Sequence, residues 1–164
     1  MLKPHAQGGT SLLEVLIAVV LTSGAIMAAT LLYGNALKFS KMAQSQGIAA
    51  DIAVEIADRM RANLPGNYQY TQNYSATSPT ESVPACANSN CTAAEMAARD
   101  LAEVRNRARQ ALPGGFIRIT NDGNARNIWV MWTDPDDDKD GATKTCTGAG
   151  ANANARCIAL RVAL

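Results

Sequence analysis

The chain has one histidine, His5, only 5% aromatic residues, and 15 basic against 14 acidic groups, for a formal charge of +1. With no histidine beyond His5, the rest of the chain lacks the base of the familiar histidine triads. A zinc site of paired histidines and cysteines is also excluded, because the four cysteines form no Cys-x-x-Cys motif. There is no phosphate loop, dinucleotide fingerprint or Gly-x-Ser-x-Gly elbow. Balanced charge, with no basic stripe interleaved with aromatics, argues against a nucleic-acid partner. The expectation is a protein with no catalytic residue and no cofactor. Proline is absent between Pro4 and Pro65, so no proline interrupts a helix in that span.

That span carries the strongest signal in the chain. From Leu12 to Tyr33 the residues are almost all apolar, and as a helix rising about 1.5 Å per residue they cover roughly 33 Å, the depth of a bilayer core. One acid, Glu14, stands just inside the run. A carboxylate costs roughly 2.5 to 3.5 kcal/mol at the centre of a membrane helix and less near its end, so Glu14 calls for a partner or a function. Lys3 before the run and Lys38 and Lys41 after it orient the segment poorly. The four cysteines all lie beyond it and suit an oxidising compartment, which places the amino terminus in the cytoplasm.

Helical patterning continues past Tyr33. Ile48, Ile52, Ile56 and Met60 recur every four residues with Asp51, Glu55, Asp58 and Arg59 between them. The simplest reading is one long helix ending near Asn63, where Leu64-Pro65-Gly66 breaks it. From Asn67 to Asn90 the polar composition lacks periodicity and predicts a long surface connection, in which Tyr68, Tyr70 and Tyr74 either cover the edge of the domain, the preferred reading, or form an adhesive surface. Thr92 and Glu95 form a capping box that opens a second helix through Ala97, Leu101, Val104 and Ala108, stopped by Leu112-Pro113-Gly114-Gly115. Arg99, Arg105, Arg107 and Arg109 read as its solvated face. Three strand-like stretches follow, Phe116 to Thr120, Ile128 to Thr133 and Cys157 to Leu164, the first two joined by a turn at residues 121–124. The fold class is α+β: a long helix whose apolar half is free and whose amphipathic half packs on a small antiparallel sheet, with a second helix and disulfides.

Four cysteines allow three pairings, and the sequence does not decide among them. Local pairing is the reading adopted here, Cys86 with Cys91 and Cys146 with Cys157. Loops of this size gain roughly 2 to 3 kcal/mol per bridge in the chain-entropy account. Asp136, Asp138 and Asp140 match the opening of a calcium-binding loop, but the twelfth position is Thr147, not Glu. A solvated acidic turn is the preferred reading, with calcium a weak candidate.

Gly9, followed five residues later by Glu14 at the head of an apolar helix, resembles the class III leader of type IV pilins. The wording Ala49-Ala50-Asp51-Ile52-Ala53, Asp58-Arg59-Met60-Arg61-Ala62-Asn63 and Cys91-Thr92-Ala93-Ala94-Glu95-Met96-Ala97 is similar to the PilV-type minor pilins. The resemblance implies that residues 1–9 are a leader which prepilin peptidase removes after Gly9, methylating Thr10. Thr10 stands where the family usually has phenylalanine. Loss of Lys3 with the leader brings the formal charge from +1 to zero. Residues 10–33 would be the transmembrane and filament-packing half-helix. Residues 34–164 would be the periplasmic domain, with its amphipathic half-helix at 34–63. Glu14, the fifth mature residue, would pair with a neighbour's terminal ammonium, each relieving the other's desolvation. The implied partners are the peptidase, other minor pilins, the major pilin and the inner membrane, and the implied role is initiation of pilus assembly. Two rivals share parts of this reading. One is a type II secretion pseudopilin, and the other is a secreted binding domain or adhesin whose signal peptide ends near Ala28-Ala29-Thr30.

Overall fold

The computed structural model describes residues 11–87, 90–133, 146, 148–151 and 155–163. Its elements in chain order are α1 (Leu12–Ala62), α2 (Ala93–Ala111), β1 (Phe116–Asp122), β2 (Ala125–Thr133) and β3 (Ala155–Ala163). The architecture is α+β with two disulfides, Cys86–Cys91 and Cys146–Cys157. The chain divides into two compact units, Met1–Lys41 and Met42–Leu164.

In the first unit every described residue is exposed, including Leu12, Leu16, Val20, Ile26 and Leu32. Apolar residues on all sides of a helix with no packing face are what lipid or neighbouring helices require, not a water-facing surface. Ser11 starts the helix, its hydroxyl accepting from the Leu13 amide at 3.4 Å and its carbonyl accepting from the Glu14 amide at 2.9 Å. The hydroxyls of Thr22, Ser23 and Thr30 bond back to carbonyls three or four residues earlier, which lets them sit in an apolar segment without an unsatisfied donor.

The second unit is built around one helical stripe. Ala49, Ile52, Ala53, Ile56, Ala57 and Met60 are buried, and packing starts with the half-buried Met42. Each large apolar side chain in that stripe contributes about 1.5 to 3 kcal/mol through burial. The sheet is antiparallel in the order β1-β2-β3, with Ile117 opposite Val130, Ile119 opposite Ile128, and Val130 opposite Ile158. These residues belong to the same core as the α1 stripe, together with Val104 and Ala108 of α2.

Side chains alternate across a strand, so the opposite face of the sheet carries Phe116, Met131 and Cys157 in register. That face has a second, smaller core of Phe116, Met131, Tyr74, Cys146, Ala149 and Ala155, with Trp129 against it. The sheet is therefore buried on both sides. The strands are slightly longer than the sequence patterning indicates, because the β1–β2 turn contracts to Gly123-Asn124.

Candidate functional site

Glu14 sits in the first turn of α1, where the helix macrodipole favours a negative charge. Its surroundings on the helix are Leu13, Ile17, Ala18 and Leu21. Among the described residues its carboxylate makes no hydrogen bond and no ion pair. The helix that carries it is long and apolar enough to cross a membrane, with a mean hydropathy of 2.4 over its best 18-residue window. Gly9 and Thr10 lie outside the described residues, as do Asp136, Asp138 and Asp140. Among the described residues no group of histidines, cysteines and acids could hold a metal.

In the second unit, the polar groups converge where α1 ends against α2. The Arg59 guanidinium reaches Asp100 at 2.7 Å, Glu103 at 2.9 Å and Glu55 at 2.9 Å. Burial works against the charge on Arg59, but the carboxylates of Glu103, Asp100 and Glu55 more than offset it, so its affinity for its proton rises. Tyr68 donates to the other oxygen of Asp100 at 2.6 Å and accepts from the Asn63 side-chain Nδ2 at 3.2 Å. Burial, followed by the bond to Asp100, pushes the Tyr68 phenol up to about 12. Glu103 is held below the ordinary carboxylate range, chiefly by its bond from Arg59. The network fastens three parts of the chain together: the end of α1, the start of the connection, and α2.

The connection then runs across the edge of β1, where Tyr70 and Ile119 exchange two backbone hydrogen bonds at 3.0 and 2.7 Å. Tyr68 and Tyr74 are buried, and Tyr70 is stacked under Arg105, so the tyrosines cover the domain and present no adhesive surface. Arg105 and Arg109 do not lie on a solvated face. Their side chains are only 10% and 8% exposed, and both turn toward Glu81 of the connection. Arg107 pairs with Glu55, and Arg99 pairs with Glu103 at 3.0 Å.

Asp100 is a residue that the sequence reading passes over. It falls in the buried stripe of α2 with Ala97, Val104 and Ala108. A lone acid at stripe spacing was the available signal. Cys86 pairs with Cys91 just ahead of α2, where the Glu95 carboxylate accepts from the Thr92 amide at 2.8 Å and from the Ala87 amide at 3.0 Å.

Residues 32–102 match the Tt1218-like family, described as Type IV pilin Tt1218. The match supports a type IV pilin. It covers the later part of α1, the connection with its disulfide, and the first half of α2, which is less than half of the chain. No curated protein and no solved structure matches. A type IV pilin is a structural subunit that assembles with other pilins into a pilus, and the apolar amino-terminal helix is consistent with membrane anchoring.

Proposed function

We propose that this chain is a minor pilin of a type IV pilus, of the PilV type, which takes part in starting filament assembly. In this reading prepilin peptidase removes residues 1–9, and Thr10 becomes the methylated amino terminus. The protein waits in the inner membrane as a single-pass subunit, its amino terminus in the cytoplasm and its cysteine-containing domain in the periplasm. It then joins other minor pilins and the major pilin in a tip or priming complex through its apolar helix. No metal or other cofactor takes part.

The observation that carries this reading is Glu14, without a partner among the described residues, in the first turn of α1, whose apolar segment up to Lys41 is exposed throughout. Two desolvated groups of opposite charge stabilise each other, and either one alone in hydrocarbon is costly. A neighbouring subunit whose new amino terminus lies at the depth of Glu14 supplies the missing charge. The disulfides suit a periplasmic location.

The deciding experiment is the mass of the mature amino-terminal peptide, taken from the membrane and from sheared filaments of the native cell. A start at Thr10 in both fractions is expected, with or without an added methyl group. A start at Thr10 confined to the membrane fraction would favour a secretion pseudopilin. A start near Thr30 would mean ordinary signal-peptide cleavage and would remove Glu14 from the mature protein.

A further inference from the structure

Two guanidinium groups on α2 share one carboxylate. Arg105 and Arg109 stand about one turn apart, their side chains 10% and 8% exposed, and both turn toward Glu81 of the connection. Arg105 is well answered: it donates to the Glu81 carboxylate and to the Tyr70 hydroxyl, and it stacks over the Tyr70 ring at 3.6 Å from the centroid. Arg109 is not. Its Nη2 approaches Glu81 only to 3.6 Å, too long for a hydrogen bond, and its Nε and Nη1 are buried with no acceptor among the described residues. Orphaned donors on a buried cation are costly, and one carboxylate does not neutralise two guanidiniums.

The hold on the connection does not depend on that carboxylate. The Asn106 side chain, from the same turns of α2, accepts from the Glu81 amide at 2.8 Å and donates to the Glu81 carbonyl at 2.7 Å. The Glu81 side chain is 39% exposed. It can therefore swing into water while its backbone stays docked on α2.

We propose that Arg105 and Arg109 form a binding site for a small dianionic oxyanion of the phosphate type, with the Glu81 carboxylate as its internal stand-in. Charge decides the class. With Glu81 swung out the pair carries two positive charges, which a dianion neutralises; a monocarboxylate brings no more charge than Glu81 already does. A tetrahedral oxyanion also presents acceptors in more directions than a planar carboxylate, so it can meet Arg109 and Arg105 together. This site is independent of the role proposed for Glu14 in filament assembly.

The full-length protein in detergent is titrated with inorganic phosphate at constant ionic strength, by isothermal titration calorimetry and by scanning calorimetry. Saturable binding is expected, with the melting temperature raised by about 4 °C at ten times the dissociation constant. Acetate should produce neither effect. Glycerol 3-phosphate separates the two sources of such a group: equal binding assigns the site to phosphate monoesters, and binding of inorganic phosphate alone assigns it to the free ion. Arg109→Gln should abolish saturation, and because it removes an unanswered buried charge it should fold at least as well as the parent. Glu81→Gln removes the competing carboxylate and should tighten phosphate binding about tenfold, whereas a purely structural ion pair would give no gain. A response that rises linearly with phosphate, as general salt effects do, would overturn the site. So would undiminished saturation in Arg109→Gln. Unchanged or weaker binding in Glu81→Gln would overturn the stand-in.

Discussion

Asp100 answers two groups at once, the Arg59 guanidinium and the Tyr68 hydroxyl. Removing it in Asp100→Ala takes away the phenol's shorter acceptor, leaving only the Arg59 carbonyl at 3.3 Å, and should cost roughly 1 to 3 kcal/mol. Asp100→Asn keeps an acceptor for Tyr68 and should cost less, and thermal melts followed by circular dichroism would separate the two. Tyr68 also sets an alkaline limit. Its phenol holds the proton up to about 12 in the folded chain against an ordinary 10.0, so between those values the folded form binds more protons than the unfolded one. Stability from this group is whole below pH 10 and is lost as pH rises to about 12. Tyr68→Phe should therefore flatten the alkaline limb of a stability–pH curve by on the order of 2 kcal/mol, and an unchanged limb would contradict the assignment. Glu103 works with the opposite sign. Its carboxyl is held below the ordinary 4.5, so its contribution is present above that pH and is lost as pH falls. The repeat of Ile52, Ile56 and Met60 was legible from spacing alone. The Arg59 network was not, because its members are separated by about forty residues of chain and only packing brings them together.

Elements with a local cause were the easiest to read. α2 starts at the capping box of Thr92 and Glu95, whose reciprocal bonds are both present, and Thr92→Ala should cost about 1 kcal/mol. Its far end depends on a close approach. A Cβ at Gly115 would run into the backbone carbonyl and carbon of Ala108, which cannot give way without unwinding the last turn. Gly115→Ala should thus destabilise more than Thr92→Ala does, and urea titrations of both variants would rank them. Arg105 and Arg109 show where periodicity misled. On a helix wheel they look solvated, but the irregular connection carries Glu81 across α2 and buries both side chains. A connection without repeat has no sequence period from which its path can be read. The tyrosines that anchor it were placed correctly for a different reason: large amphipathic rings in a polar stretch gain most by covering apolar surface.

At the scale of the molecule, the role proposed for Glu14 separates anchoring from assembly. Glu14→Leu removes a charge from an apolar helix, so membrane insertion should be kept or improved, while recovery of the protein in sheared filaments should fall severalfold. Immunoblots of membrane and filament fractions check both halves of that expectation, and normal recovery in filaments would exclude a pairing role. The long helix was readable from composition and the absence of proline. The two-sided burial of the sheet was not, because beyond Tyr70 and Tyr74 the residues covering its second face are small ones in a Gly- and Ala-rich stretch with no pattern of its own. That two-sided burial has an optical consequence. The chain's two tryptophans are both on β2, three residues apart and therefore on opposite faces: Trp132 belongs to the helix-side core, and Trp129 packs against the disulfide-tethered one. Each layer of the protein thus contains its own fluorophore, and replacing either indole by phenylalanine turns the emission spectrum into a private report on the other layer.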